Sequence, residues 1–194
     1  MNTFIRSFAM VNNINDGGSH IGGLIGTLKS IGYAIKILAP TKVIIAFDGV
    51  EGASARKNLY PEYKANRQQK KIINNIIFSS REDELDSINN QMQRLIEYLQ
   101  CLPVTLLSIS GVEADDVIAF LAKKYEENDS TRRIHIMSAD QDFLQLTSDK
   151  TYIYSPTKKK IYTPSVVKEE YGVSATNFLA QKVLLGDSGD NVPG

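Results

Sequence analysis

Gly111-Val112-Glu113-Ala114-Asp115-Asp116-Val117-Ile118 places three carboxylates within four residues at a strand-to-helix corner. Upstream, Val104-Thr105-Leu106-Leu107 is an apolar run of strand length; downstream, Ala114, Val117, Ile118, Leu121 and Tyr125 recur at helical spacing. Glu113 and Asp116 are three apart, so they share one face of the first helical turn, with Asp115 beside them. Like charges this close repel unless a cation lies between them. Capping accounts for one or two acids at a helix N-terminus, where the helix dipole favours them. A third acid makes a divalent-metal site the competing reading.

Outward from that corner, acids recur where elements end. Val43-Ile44-Ile45-Ala46-Phe47 reads as a buried parallel strand and runs into Asp48-Gly49. Ile134-His135-Ile136-Met137 is a second short strand; it is followed by Asp140-Gln141-Asp142, which opens a short helix, and His135 within it reads as structural. The chain closes on Gly186-Asp187-Ser188-Gly189-Asp190-Asn191-Val192-Pro193-Gly194. Open α/β sheets place their sites at the C-terminal ends of strands. One shared site holding two divalent metals explains all four acidic segments.

The remaining segments supply the scaffold. Met1–Met10 has helical character without a leading strand, and Ser19 is a candidate cap for a helix running to Leu38, whose glycines permit close packing. A helix from Glu84 carries Leu85, Ile88, Met92, Leu95, Ile96 and Leu99 towards the core. Tyr152-Ile153-Tyr154 and Lys160-Ile161-Tyr162 read as a hairpin with a lysine-rich tip. Thr163-Pro164 starts a helix ended by Gly172, and Ser174 opens another running to Leu185. The expected architecture is α/β, a mostly parallel central sheet with helices on both faces.

Composition narrows the function. At 194 residues the chain can bury a sizeable core, and no apolar run reaches membrane-spanning length. One cysteine, Cys101, excludes an internal disulfide framework and suits a reducing cytoplasm. Two histidines and one cysteine cannot build a typical zinc site, so oxygen ligands and Mg²⁺ or Mn²⁺ are expected. The formal net charge is zero, but the charges are segregated. Arg56, Lys57, Lys64, Arg67, Lys70 and Lys71 face only Glu62 within one polar stretch, which Pro61 interrupts. Such a stretch is either a solvated loop or, with Tyr60 and Tyr63 among its cations, a surface for phosphates and bases. A basic segment near an acidic cluster suits a metal-dependent enzyme acting on a polyanion.

Together these segments resemble the 5′-nuclease family: flap endonucleases, the 5′-nuclease domain of bacterial polymerase I, and phage 5′–3′ exonucleases, including those called RNase H. The residues that carry the resemblance are Phe47-Asp48-Gly49, Tyr63-Lys64-Ala65-Asn66-Arg67, Gly111 to Asp116, Asp140-Gln141-Asp142 and Gly186 to Gly194. The resemblance implies a PIN-like 5′-nuclease fold over residues 1–194, with a basic helical-arch insertion at 50–80. It assigns Asp48, Glu113, Asp115, Asp116, Asp140, Asp142, Asp187 and Asp190 to a site for two Mg²⁺, with Mn²⁺ as a substitute. Lys64 and Arg67 would contact the scissile phosphate as catalytic residues, Tyr63 would stack on a base, and Arg6, Arg56 and Lys57 would join them in binding nucleic acid. The implied substrate is DNA with 5′ single-stranded ends or flaps, with RNA–DNA hybrids as a further class. The implied setting is a monomer in the cytoplasm of a bacterial cell or phage-infected host.

By the same resemblance, a first strand ending in a further metal-site aspartate would precede Met1, and a helix–three-turn–helix module gripping duplex DNA would follow Gly194. An alternative is therefore a truncated nucleic-acid-binding module with little or no catalysis. A haloacid-dehalogenase-type phosphatase would need a second aspartate two residues after its nucleophile, whereas Asp48 is followed by Gly49-Val50. A compact PIN-type RNase would not need the long basic insertion.

Overall fold

The computed structural model describes residues 2–65, 71–128 and 131–194. The elements run α1 (Asn2–Met10), α2 (Gly22–Leu38), β1 (Ile44–Phe47), α3 (Ser54–Leu59), α4 (Arg81–Gln100), β2 (Thr105–Ser108), α5 (Ala114–Asn128), β3 (Ile134–Met137), a 3₁₀ turn (Gln141–Leu146), β4 (Thr151–Ser155), β5 (Lys160–Tyr162), α6 (Pro164–Tyr171) and α7 (Ala175–Leu185). The class is α/β, as the alternation of apolar runs and helical spacing implies. Where one central sheet is expected, the described strands, each five residues or fewer, register as a β1–β2 pair and a β3–β4–β5 triplet. In the triplet β3 and β4 run parallel, with Ile136 opposite Ile153, and β4 and β5 form the expected antiparallel hairpin.

The chain divides into two compact units, residues 1–45 with 69–106, and residues 46–68 with 107–194; the division falls inside both β1 and β2. In the first unit, α1 buries Phe4 and Phe8. The α2 glycines allow the close approach that their number suggests: a Cβ on Gly22 would lie 1.6 Å from the Val11 carbonyl oxygen. Phe8 stacks on Phe78 at 5.5 Å between ring centroids. Ser19 does not cap α2. The helix begins at Gly22 without a side-chain cap, and Ser19 instead exchanges bonds with Asn15 in the preceding turn. α4 starts at Arg81, earlier than its apolar spacing implies, because Ser80 caps it by accepting from the Glu82 and Asp83 amides. That start places Glu84 inside the first turns of α4, where it is fully buried and accepts from the amides of Ile73 and Asn74.

The second unit is centred on Ala122 of α5, Ile136 of β3, Phe143 and Leu144 of the 3₁₀ turn, Ile153 of β4, Tyr162 of β5, Val167 of α6 and Phe178 of α7. Burying the Ile, Leu, Val and Phe side chains among these stabilises each by roughly 1.5–3 kcal/mol relative to exposure. Thr163 caps α6 through the Val166 amide, Pro164 takes the first helical position, and Gly172 at φ 74° closes it. Ser174 precedes α7 without a side-chain cap bond to the helix; its hydroxyl pairs with Thr176. His135 stacks on Tyr152 at 5.3 Å between ring centroids.

Candidate active site

All eight acids read from the sequence lie in the second unit; seven fall into two groups, and the eighth, Asp190, has its charge acting on Tyr63 and Lys64. The first group is the α5 corner. β1 delivers Asp48, whose Oδ1 accepts from the Ala114 amide at 2.9 Å and so caps α5. Gly49 follows because the backbone there is too close for a side chain: a Cβ would lie 1.7 Å from the Ile109 carbonyl oxygen. The Gly49 amide donates to the Val112 carbonyl at 3.0 Å, which locks the two loops together. Ligand atoms of Glu113, Asp115 and Asp116 lie within 4.8 Å of one another. Glu113 is buried at 6% exposure. Burial, reinforced by the Glu113 charge, holds the Asp115 carboxyl above its ordinary pKa.

The basic stretch folds onto this corner. Arg56 on α3 donates through Nη1 to Glu113 at 2.6 Å, and through Nη1 and Nη2 to Asp116 at 2.7 Å each. That fork holds the Asp116 carboxyl below its ordinary range. The Tyr63 hydroxyl donates to Glu113 at 3.1 Å and the Lys64 ammonium donates to it at 2.5 Å. Burial opposes the Lys64 charge, yet its bonds to Glu113 and Tyr63 raise its pKa above that of ordinary lysine. Burial pushes Tyr63 up to about 12. Tyr63, expected to stack on a base, is 8% exposed with the Lys64 ammonium 4.7 Å from its ring centroid. In this arrangement the Tyr63 hydroxyl is engaged by Glu113 and its ring lies against the Lys64 ammonium.

The second group is Asp140, Asp142 and Asp187. Asp140 caps the 3₁₀ turn by accepting from the Asp142 amide at 3.0 Å. Burial and the charges of Asp140 and Asp187 hold the Asp142 carboxyl high. Lys182 of α7 pairs with Asp142 and with Asp187, the latter at 2.6 Å, and holds the Asp187 carboxyl low. The two groups meet through the C-terminal loop, where the Asp190 carbonyl accepts from the Lys64 amide at 2.9 Å.

These features suit a hard divalent cation held by carboxylate oxygens, and they occur on a fold shared with known nucleases. Residues 1–172 match the family described as 5′–3′ exonuclease, N-terminal resolvase-like domain. The chain belongs to the 5′–3′ exonuclease family. Within this family, the 5′–3′ exonuclease of Buchnera aphidicola subsp. Schizaphis graminum is 33% identical over 191 residues, covering 97% of this chain and 61% of the relative. DNA polymerase I of Bacillus subtilis is 31% identical over 192 residues, covering 96% of this chain and 20% of the polymerase. The chain thus spans about three-fifths of the exonuclease relative and a fifth of the polymerase. Its fold matches that of the bacteriophage T5 flap endonuclease, solved as a pseudo-enzyme–product complex with DNA and metal ions. The TM-score is 0.77 at 22% identity, over all of this chain and 66% of that one.

Arg6 lies exposed on α1 in the first unit, and Lys57 is exposed on α3. Arg67 and Lys70 lie outside the described residues. Among the described residues, the three-carboxylate cluster contains Glu113, Asp115 and Asp116 only. One participant escapes a reading by spacing. Lys182 sits in an apolar helix forty residues from Asp142. The one signal for Lys182 is that it is the only cation in α7. No helix among the described residues is long and apolar enough to cross a membrane.

Proposed function

We propose that the chain is the nuclease part of a divalent-metal-dependent 5′–3′ exonuclease and flap endonuclease. It would hydrolyse phosphodiester bonds near the 5′ ends of DNA, with RNA–DNA hybrids as a further substrate class. The observation that carries the reading is Lys64, whose ammonium rests on buried Glu113 while its amide is held by Asp190. A cation suited to neutralising phosphate would thereby be held at the Glu113 group, on a turn bonded to the loop that carries Asp187 and Asp190. The relatives are named as exonucleases and polymerases, and the T5 neighbour was solved with DNA and metal ions, which supports the same reading.

The donor set fits hard cations. It is all carboxylate, closely spaced, and contains a member whose pKa is raised by burial and its neighbour's charge. Asp48, Glu113, Asp115 and Asp116 would hold one Mg²⁺, and Asp140, Asp142, Asp187 and Asp190 a second. When bound, such ions supply a water acidified to hydroxide and charge stabilisation for the leaving oxygen. The protein's own contribution is electrostatic. Lys64, with Arg67 by the family pattern, offsets charge building on the phosphate, while Arg56 and Lys182 balance the two acid groups. The basic segment at 50–80 acts as the arch over a 5′ single strand, with the protein working as a cytoplasmic monomer.

Cleavage of a 5′-flap duplex tests the proposal. Turnover is expected with Mg²⁺ or Mn²⁺ and not with chelator, and Lys64→Ala should slow it about 10²-fold, the order seen for removing one transition-state donor. Full turnover in chelator, or an unaffected Lys64→Ala variant, overturns it.

A further inference from the structure

We propose that Asn191 is a positioning residue that clamps the Lys64-bearing turn onto the C-terminal acidic loop, so that the lysine and the Asp187–Asp190 group are set as one unit. Two adjacent loop residues grip the turn on either side of Tyr63. Asn191 donates through Nδ2 to the Glu62 carbonyl at 2.9 Å, and the Asp190 carbonyl accepts from the Lys64 amide at 2.9 Å. The loop that supplies them is itself closed. Asp187 and Val192 exchange both main-chain bonds at 2.8 Å, and Asp187 Oδ1 accepts from the amides of Gly189 at 2.9 Å and Asp190 at 3.3 Å. Its other oxygen is held by Lys182.

Backbone conformation shows why a clamp is needed. Lys64 sits at φ 57° and Asn191 at φ 60°, both left-handed. Asparagine occupies that region at little cost, whereas for lysine it is strained and persists only when the surroundings hold it. The restraints on Lys64 include its amide bond to Asp190, its ammonium bond to Glu113 and its contact with the Tyr63 ring. Releasing the Asn191 bond frees one end of the turn, lets Lys64 relax to negative φ, and swings the ammonium away from Glu113. Asn191 touches no reacting atom; it acts through Lys64.

The clamp is a matter of structure, whereas its effect on turnover rests on the nuclease reading above. Asn191→Gly and Asn191→Asp both tolerate left-handed φ and both delete the Nδ2 donor, so they separate the hydrogen bond from backbone conformation. Amide hydrogen exchange on the full chain reads the clamp directly. Protection of the Lys64 amide should fall about 5- to 10-fold in both variants, the worth of one neutral hydrogen bond, while the midpoint of global unfolding holds. In flap cleavage kcat should fall by a similar factor with KM little changed, and Asn191→Gly should cause no further loss in a Lys64→Ala background. Unchanged Lys64 exchange overturns the clamp. So does an equal fold-loss of kcat in the Lys64→Ala background, or a loss that only follows the folded fraction. If the variants loosen Lys64 but the unsubstituted chain cleaves no flap, the clamp stands and the nuclease reading falls.

Discussion

Replacing Arg56 by glutamine should tighten divalent-cation binding and weaken DNA binding in the same protein. Arg56 makes one bond to Glu113 at 2.6 Å and a fork to Asp116 at 2.7 Å. A hydrogen bond to a charged partner is worth about 1.5–3 kcal/mol when well shielded. Here the Arg56 and Asp116 side chains are 38% and 44% exposed, so the fork belongs in the surface range of up to about 1 kcal/mol. The Glu113 side chain is only 8% exposed, and that bond keeps more of its strength, about 1 kcal/mol after allowing for Arg56's own exposure. A cation arriving at these carboxylates must displace or share both. Glutamine can restore one neutral bond of about 1 kcal/mol, which leaves a gain of about 1 kcal/mol, or about fivefold in Mn²⁺ affinity. Titrating Mn²⁺ by electron paramagnetic resonance at low salt, without nucleic acid, measures it. Lys57→Gln removes the same charge from the next residue of α3, which is exposed, and should change affinity far less. If Arg56→Gln binds Mn²⁺ no more tightly than Lys57→Gln, the fork does not compete with the cation. On flap DNA, Arg56→Gln should also flatten the log–log salt dependence of binding by about one.

Glu84 offers a stability test away from the site. Its buried carboxylate accepts from the Ile73 and Asn74 amides at 2.8 and 2.7 Å and pairs with Arg81, so Glu84→Ala should cost about 3–5 kcal/mol in urea unfolding and Glu84→Gln clearly less. A cost for Glu84→Ala under about 1 kcal/mol would contradict that network. At the hairpin tip, bonds from Lys158 and Lys160 lower the Glu170 carboxyl to about 2. Because the folded value is depressed, the ion pairs contribute at pH above the ordinary glutamate range and are lost as pH falls towards about 2. A carbon-detected NMR titration of Glu170 should show that low midpoint, and an ordinary glutamate midpoint would mean that the lysines do not hold it.

What could be read from the sequence was what one helical turn or one strand end contains. Glu113, Asp115 and Asp116 are grouped by helical geometry alone. Asp140 and Asp142 are placed by the strand before them, and Thr163-Pro164 with Gly172 brackets α6 by local chemistry. The misses share the opposite character. Ser19 has the composition of a cap, yet Asn15 supplies a nearer partner and α2 starts without it. Glu84 looks like an ordinary polar position near a helix start until the 73–74 amides arrive from eleven and ten residues away. Lys182 finds Asp142 across forty residues, and Asn191 finds Glu62 across 129. No periodicity encodes such pairings; they follow once the backbone is in place. The same distinction explains the charge pattern. The basic and acidic stretches read as opposed patches on a chain of zero net charge. In the second unit Arg56 and Lys64 lie on Glu113, and Lys182 lies between Asp142 and Asp187. Each acid group therefore carries its own protein cation. Under the two-metal proposal, a divalent ion at either group would have to overcome that pairing, which would set metal affinity against charge balance at Arg56 and Lys182.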